Sequence, residues 1–158
     1  MILSLSRMAA MEAPDLASGA ITVQAGVVLA ALHDALDGSG LMCPMHLGAE
    51  GSAQIGGLIG TNAGGSHAFR FGMMADLVLG LEVVLPDGDV VRTGMGAMAG
   101  SKTWNLYRNG FGPGWDTMFC QSNLGVVTKL GLWLMPEPEA VAGYDYEFDR
   151  PGDLGWAI

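Results

Sequence analysis

A stretch rich in glycine and small polar residues carries most of the chain's candidate chemistry. It reads Pro44-Met45-His46-Leu47-Gly48-Ala49-Glu50-Gly51-Ser52-Ala53-Gln54-Ile55-Gly56-Gly57 and continues to Thr61-Asn62-Ala63-Gly64-Gly65. Ser52 is placed to cap a short helix whose apolar residues are Ile55, Leu58 and Ile59. Gly56 and Gly57 lie inside that helix, where each costs about 1 kcal/mol relative to alanine. Two such residues in succession imply close approach to the backbone, by another chain segment or by a ligand. A capped helix start with free N–H groups suits a pyrophosphate or a carbonyl oxygen.

Other patterns carry less. Gly94-Met95-Gly96-Ala97-Met98-Ala99 has the spacing of a dinucleotide fingerprint. Its preceding strand belongs to a hairpin, however, and no long helix follows it. In Gly100-Ser101-Lys102-Thr103 a serine separates glycine from lysine, so a phosphate loop is rejected. His33 falls on the polar side of a predicted helix and reads as solvated, His46 borders the glycine stretch, and His67 reads as a surface residue beside Arg70. The three are too scattered in sequence for recognisable metal-ligand spacing, so no metal is expected. Cys43 and Cys120 form no CxxC pair and read as buried thiols. Met73, Met74, Met95, Met98 and Met118 read as packing residues. Trp104, Trp115 and Trp133 fit a core or a domain interface.

The elements that must hold these residues follow from hydropathy. Ile2 to Leu5 and Ile21 to Ala25 read as strands. Val28, Leu29, Leu32, Ala35 and Leu36 repeat at helical spacing, with Gly38 and Gly40 as stops. Val78 to Leu85 is a buried strand turned by Pro86-Asp87-Gly88, and Asp89 to Thr93 returns as a hairpin. Thr103 to Arg108 predicts a short helix, followed by a loop from Gly110 to Trp115. Val126, Thr128, Leu130, Leu132 and Leu134 share one face of a strand that Pro136 and Pro138 end. Tyr144, Tyr146 and Phe148 alternate once more. Hairpins mixed with helices predict an α+β fold.

The 158 residues suffice for about one domain, half of them are apolar, and the net charge is −9. That charge argues against nucleic acid or an anionic membrane as partner. No apolar run reaches the ~18 residues needed to span a bilayer. No secretion pattern precedes Met11, so a cytoplasmic location is the expectation.

Gly48-Ala49-Glu50-Gly51-Ser52, Ile55-Gly56-Gly57 and Thr61-Asn62-Ala63-Gly64-Gly65 resemble the flavin-binding signature of the FAD-linked oxidases, the p-cresol methylhydroxylase and vanillyl-alcohol oxidase superfamily. Arg70-Phe71-Gly72, Gly80-Leu81-Glu82-Val83-Val84-Leu85-Pro86-Asp87-Gly88 and Ser122-Asn123-Leu124-Gly125-Val126-Val127-Thr128 continue the resemblance in order. It implies an FAD-binding domain with a mixed or antiparallel sheet flanked by helices. By the family's pattern Gly48 to Gln54 lie along flavin and pyrophosphate, with Ile55, Gly56 and Gly57 in the same signature. Thr61, Asn62, Ala63 and Gly64 contact the cofactor, and Gln121, Ser122, Asn123, Leu124, Gly125, Val126 and Val127 close over it. Ser52 and Asn62 would supply hydrogen bonds.

The sequence departs from the family in beginning at the strand that normally follows a pyrophosphate loop, so the first subdomain is expected to be largely missing. Residues 1–136 are then a partial FAD-binding domain, and 137–158 a linker with the start of a cap domain.

The implied activity is flavin-dependent oxidation of an alcohol, phenolic side chain or 2-hydroxy acid, with an electron-acceptor protein or a second copy as further partner. A non-catalytic FAD-binding remnant or subunit is the alternative. The resemblance does not assign a catalytic residue. Thr93-Gly94-Met95-Gly96, Thr103-Trp104, Gly110-Phe111-Gly112-Pro113 and Trp133-Leu134-Met135-Pro136 look like the phenol-oxidising branch. There a carboxylate follows the glycine equivalent to Gly72, where this chain has Met73. Gly64-Gly65-Ser66 with Arg70 looks instead like the 2-hydroxy-acid dehydrogenases.

Overall fold

Leu130 and Leu132 are the pivot of the molecule, because their strand is hydrogen-bonded on both edges. The computed structural model describes residues 2–108, 114–150 and 152. Its main sheet has four strands, β1 (Ala20–Gln24), β3 (Val78–Val84), β4 (Val90–Arg92) and β5 (Val126–Trp133), in the order β1-β5-β3-β4. Every pairing is antiparallel, with Ile21 opposite Leu132 and Leu81 opposite Leu130. A two-residue pair, β2 (Leu41–Met42) with β6 (Met135–Pro136), lies apart from it. Pro136, read from sequence as the end of a strand, lies in this short pair, and Glu137 extends it by donating from its N–H to the Gly40 carbonyl.

The alternation of the strands divides the sheet into two faces. Ile21, Val23, Leu81, Val83, Leu130 and Leu132 are buried on one of them. They share a core with Leu29 and Leu32 of helix α1 (Leu29–Leu36), Ile55 and Ile59 of α2 (Ile55–Thr61), and Met74 and Leu77 of α4 (Met74–Leu77). A short α3 (Ala68–Phe71) precedes α4.

On the opposite face Gly80 and Gly131 lie side by side. A Cβ at Gly80 would sit 2.8 Å from the Trp104 carbonyl oxygen, and one at Gly131 would sit 2.6 Å from Asn105 Cβ. The segment around Trp104 and Asn105 therefore crosses the sheet at backbone distance, and Asn105 Nδ2 donates to Thr22 Oγ1 at 3.1 Å. This crossing explains why the helix expected over Thr103 to Arg108 does not form: the residues turn across the sheet, with Leu106 N–H donating to the Thr103 carbonyl.

Two other expected elements are absent. Ile2 to Leu5 is not a strand. The Leu5 carbonyl oxygen instead packs 2.0 Å from where a Gly26 Cβ would stand. The edge of β1 is covered by residues 10–12, where Gln24 N–H donates to the Ala10 carbonyl and Glu12 N–H to the Thr22 carbonyl. Tyr144, Tyr146 and Phe148 also form no strand, and the two tyrosines are largely exposed. Gly94–Ala97 is a single 3-10 turn rather than the start of a long helix. Of the loop expected from Gly110 to Trp115, residues 110–113 lie outside the described residues. No helix among the described residues is long and apolar enough to cross a membrane.

Candidate functional site

The glycine segments meet at one cavity, and helix α2 joins them. Ile55, Leu58 and Ile59 anchor α2 in the core, so its remaining positions, Gly57, Gly60 and Thr61, face outward. The two adjacent glycines do different things. A Cβ at Gly56 would lie 2.7 Å from Ala25 Cβ, whereas one at Gly57 would meet nothing within 4 Å. Gly56 therefore serves packing, and Gly57 leaves bare backbone open to an approaching ligand.

Capping differs from the expectation. Gln54, not Ser52, is the N-cap residue of α2, and its side chain makes no cap bond. Ser52 Oγ instead donates to the Ala49 carbonyl at 3.4 Å. The first two N–H groups of the helix are used inside the protein, Ile55 to the Val27 carbonyl at 2.8 Å and Gly56 to the Ala25 carbonyl at 2.7 Å. The start of α2 is thus a docking point for the turn after β1, and these two donors are not free for an anion.

Gly48 and Glu50 from one segment and Gly64, Gly65 and Ser66 from the other line a cavity of about 380 Å³, together with His46 and Leu47. The two walls are held close because Gly65 lets the backbone cross. A Cβ there would stand 1.9 Å from the His46 carbonyl oxygen, which also accepts from Ser66 N–H at 3.1 Å. Asn62 turns the chain at the end of α2 in the left-handed region (φ 44°), and its Oδ1 accepts from Ala75 N–H at 2.9 Å. Thr61 Oγ1 donates to the Gly57 carbonyl. Gln121, also left-handed (φ 52°), donates from Nε2 to the Thr61 carbonyl at 3.2 Å. That bond brings the third expected segment against the end of α2.

The other expected site residues are dispersed. Ile55 and Val127 turn their side chains into the core, and Ala53 packs against it. Gln54 reaches Ser6 Oγ at 3.0 Å. Gly125 is a packing glycine, since its Cβ would lie 2.5 Å from Val83 Cγ1, and Val126 pairs with Val84. Ala49, Gly51, Ser122 and Asn123 are exposed, and Ala63 is half-buried. Leu124 lines a different, apolar cavity of about 460 Å³ with Trp115, Met118 and Phe119. Met118, like Met73 and Met98, is exposed rather than a core filler, while Met74 is fully buried. Cys43 is buried, which pushes its thiol up to about 11, and Cys120 is half-buried.

Sequence reasoning missed a row of imidazoles beside the cavity. His33 and His46 have ring centroids 4.6 Å apart, and His67 stands edge-on to His46 at 4.7 Å. Glu50 bridges the first two, with Oε1 3.0 Å from His46 Nδ1 and Oε2 3.5 Å from His33 Nδ1. His33 is therefore not the solvated residue expected: its Nε2 is buried without a hydrogen-bond partner. Burial, then repulsion from His46, hold its pKa below the usual histidine value against the pull of Glu50. Burial pushes Glu50 upward, but the Leu47 N–H and the two histidines outweigh it, and its carboxyl lies below the usual range. The i,i+4 spacing of His46 and Glu50 was the available signal. The placement of His33 was not, because it depends on how α1 packs.

Comparison with known proteins identifies the family. A family model described as an FAD binding domain matches residues 1–94. The 4-cresol dehydrogenase [hydroxylating] flavoprotein subunit of Pseudomonas putida is 35% identical over 133 residues, covering 84% of this chain and 25% of that protein. The mitochondrial D-2-hydroxyglutarate dehydrogenase of Bos taurus is 37% identical over 124 residues, covering 78% and 22%. The crystal structure of p-cresol methylhydroxylase with substrate bound superposes with a TM-score of 0.71 at 32% identity, covering 85% of this chain and 26% of that one. The fold is that of an FAD-binding domain. The chain belongs to that family, in the p-cresol methylhydroxylase type of FAD-linked oxidases, and FAD is the domain's cofactor. It spans about a quarter of the length of the curated relatives it matches.

Proposed function

We propose that this chain is the FAD-holding part of a flavin-dependent oxidoreductase acting on a phenolic side chain, an alcohol or a 2-hydroxy acid. The observation that carries the reading is the meeting of Gly48–Glu50 with Gly64–Ser66 across one cavity, with open backbone at Gly57 on the helix that joins the two segments. Such a surface fits a broad, flat ligand, because only glycine lets main chain come within hydrogen-bonding distance of it. The residues that would hold FAD are 48–57, 61–64 and 121–127, of which Ile55, Gly56, Gly125 and Val127 contribute through packing. Bound FAD supplies the redox chemistry by accepting a hydride equivalent, while the protein positions it and sets the charge around it. The names of the relatives support two of these substrate classes, phenols and 2-hydroxy acids. A separate electron-accepting protein is proposed as partner, in keeping with the relative named as a flavoprotein subunit.

The test is a titration of FAD into the purified chain, followed by flavin fluorescence, with Gly57→Val in parallel. Saturable quenching that the variant loses supports the reading. Absence of quenching, or equal quenching in the folded variant, refutes it.

A further inference from the structure

We propose that His33, His46 and Glu50 form a binding site for a divalent transition-metal ion of the zinc type. One ligand atom from each lies within 4.8 Å of the others. A tetrahedral zinc ion takes imidazole nitrogen and carboxylate oxygen at about 2.0–2.2 Å, which puts neighbouring ligand atoms roughly 3.3 Å apart. His46 Nδ1 and His33 Nδ1 lie 3.0 Å and 3.5 Å from the two Glu50 oxygens, close to that spacing. Two imidazoles and one carboxylate are the donor set that borderline ions prefer, and three protein ligands leave a position for water.

Two further features suit an ion here. The Glu50 carboxylate is held in place by Leu47 N–H, which donates to Oε1 at 3.1 Å. The cluster also stands between two openings: His46 lines both the 380 Å³ cavity and a second one of about 320 Å³, which His33, Asp34 and Asp37 also line. An ion and its water have a way in through these openings. Bound there, the ion would tie α1 to the segment ahead of α2. The site does not depend on the flavin reading, since all three ligands come from this chain, and it is tested without FAD.

The experiment strips the 158-residue chain with a chelator and titrates it with zinc chloride by calorimetry. The expected result is one equivalent bound, with a raised thermal midpoint, because an ion that binds only the folded state stabilises it. Glu50→Gln and His33→Asn should each weaken binding by at least about tenfold, since even partners that only orient a ligand are worth 10- to 100-fold. Asp37→Asn, which lines the neighbouring cavity outside the cluster, should leave affinity unchanged. Cobalt in the unmutated chain gives a check independent of variant folding: a tetrahedral visible spectrum that zinc abolishes is expected. No saturable zinc binding, an aqueous-like cobalt spectrum, or equal weakening by Asp37→Asn would overturn the proposal.

Discussion

Gly56 and Gly57 are neighbours in one helix, yet replacing them should have opposite effects. Both gain about 1 kcal/mol of helix propensity on becoming alanine. At Gly57 the new methyl meets nothing within 4 Å, so the gain is kept. For a chain of this size that raises the thermal midpoint by roughly 2–4 °C. At Gly56 the methyl would stand 2.7 Å from Ala25 Cβ and 3.0 Å from its carbonyl oxygen. Neither atom can swing away as the tip of a flexible side chain would, and overpacking of this kind costs about 1–3 kcal/mol. The net change is a loss of up to about 2 kcal/mol, or about 4–8 °C downward. The assay is thermal unfolding followed by far-UV circular dichroism, with FAD titrations on the same samples. Gly57→Val should remain folded, because valine is no worse a helix former than glycine, yet lose FAD. If Gly57→Ala lowered the midpoint as far as Gly56→Ala, the steric assignment of the open face would be wrong. If Gly57→Val bound FAD as the parent does, the cofactor assignment would be wrong.

The 158-residue chain should bind FAD with a dissociation constant on the order of micromolar or weaker: each charge-assisted hydrogen bond is worth about 1.5–3 kcal/mol, and the first two N–H groups of α2 are already spent on Val27 and Ala25. Nanomolar binding by calorimetry would refute this. Burial pushes the Asp116 carboxyl above its ordinary range, and the hydrogen bond from Thr93 Oγ1 only partly offsets it. The folded state therefore binds the proton more tightly than the unfolded one. Its burial penalty is full above the raised pKa and is relieved as pH falls through that value. Asp116→Asn should accordingly equal or exceed the parent in stability at neutral pH and lose that advantage on acidification, in urea melts across pH; a constant difference would count against it. Met73→Asp, introduced into a protein that carries this domain together with its flanking sequence, should raise the rate of flavin reduction by 4-alkylphenols relative to D-2-hydroxy acids; an unchanged ratio under stopped-flow would sink the carboxylate argument.

Strands and helices with a single buried face were legible from sequence. Ile21 and Val23 in β1, Leu29 and Leu32 in α1, and Leu130 and Leu132 in β5 all obey the period of their element. What failed was anything decided by a partner distant in the chain. Trp104 and Asn105 lie over the sheet because two glycines 51 residues apart, Gly80 and Gly131, pair and leave the space. Local propensity has no access to that event. The site was legible in part for the same reason. The glycine pattern located Gly48 and Gly64, but only the fold separates Gly56, which packs, from Gly57, which is open.

The region after Gly72 shows how this bears on substrate class. Met73 places its sulfur 2.6 Å from where a Gly64 Cβ would stand, so position 73 adjoins the glycine loop that walls the cavity. A thioether there can neither accept a proton nor carry charge. Asp76 brings a carboxylate close to Met73, but it is already committed. Its Oδ2 accepts from Met73 N–H at 2.8 Å, and its Oδ1 accepts from Arg108 Nη2 at 2.8 Å. The Met73 bond foremost, with Arg108 adding to it against a smaller effect of burial, holds Asp76 below the usual carboxylate range. A carboxylate that resists protonation and is tied to a helix start makes a poor base for a phenol of pKa ~10. To serve as one it would have to release Met73 N–H, which anchors the first turn of α4. On the proposed function, then, the proton removed from the substrate goes to a group other than those at positions 73 and 76, whichever of the two substrate classes the flavin oxidises.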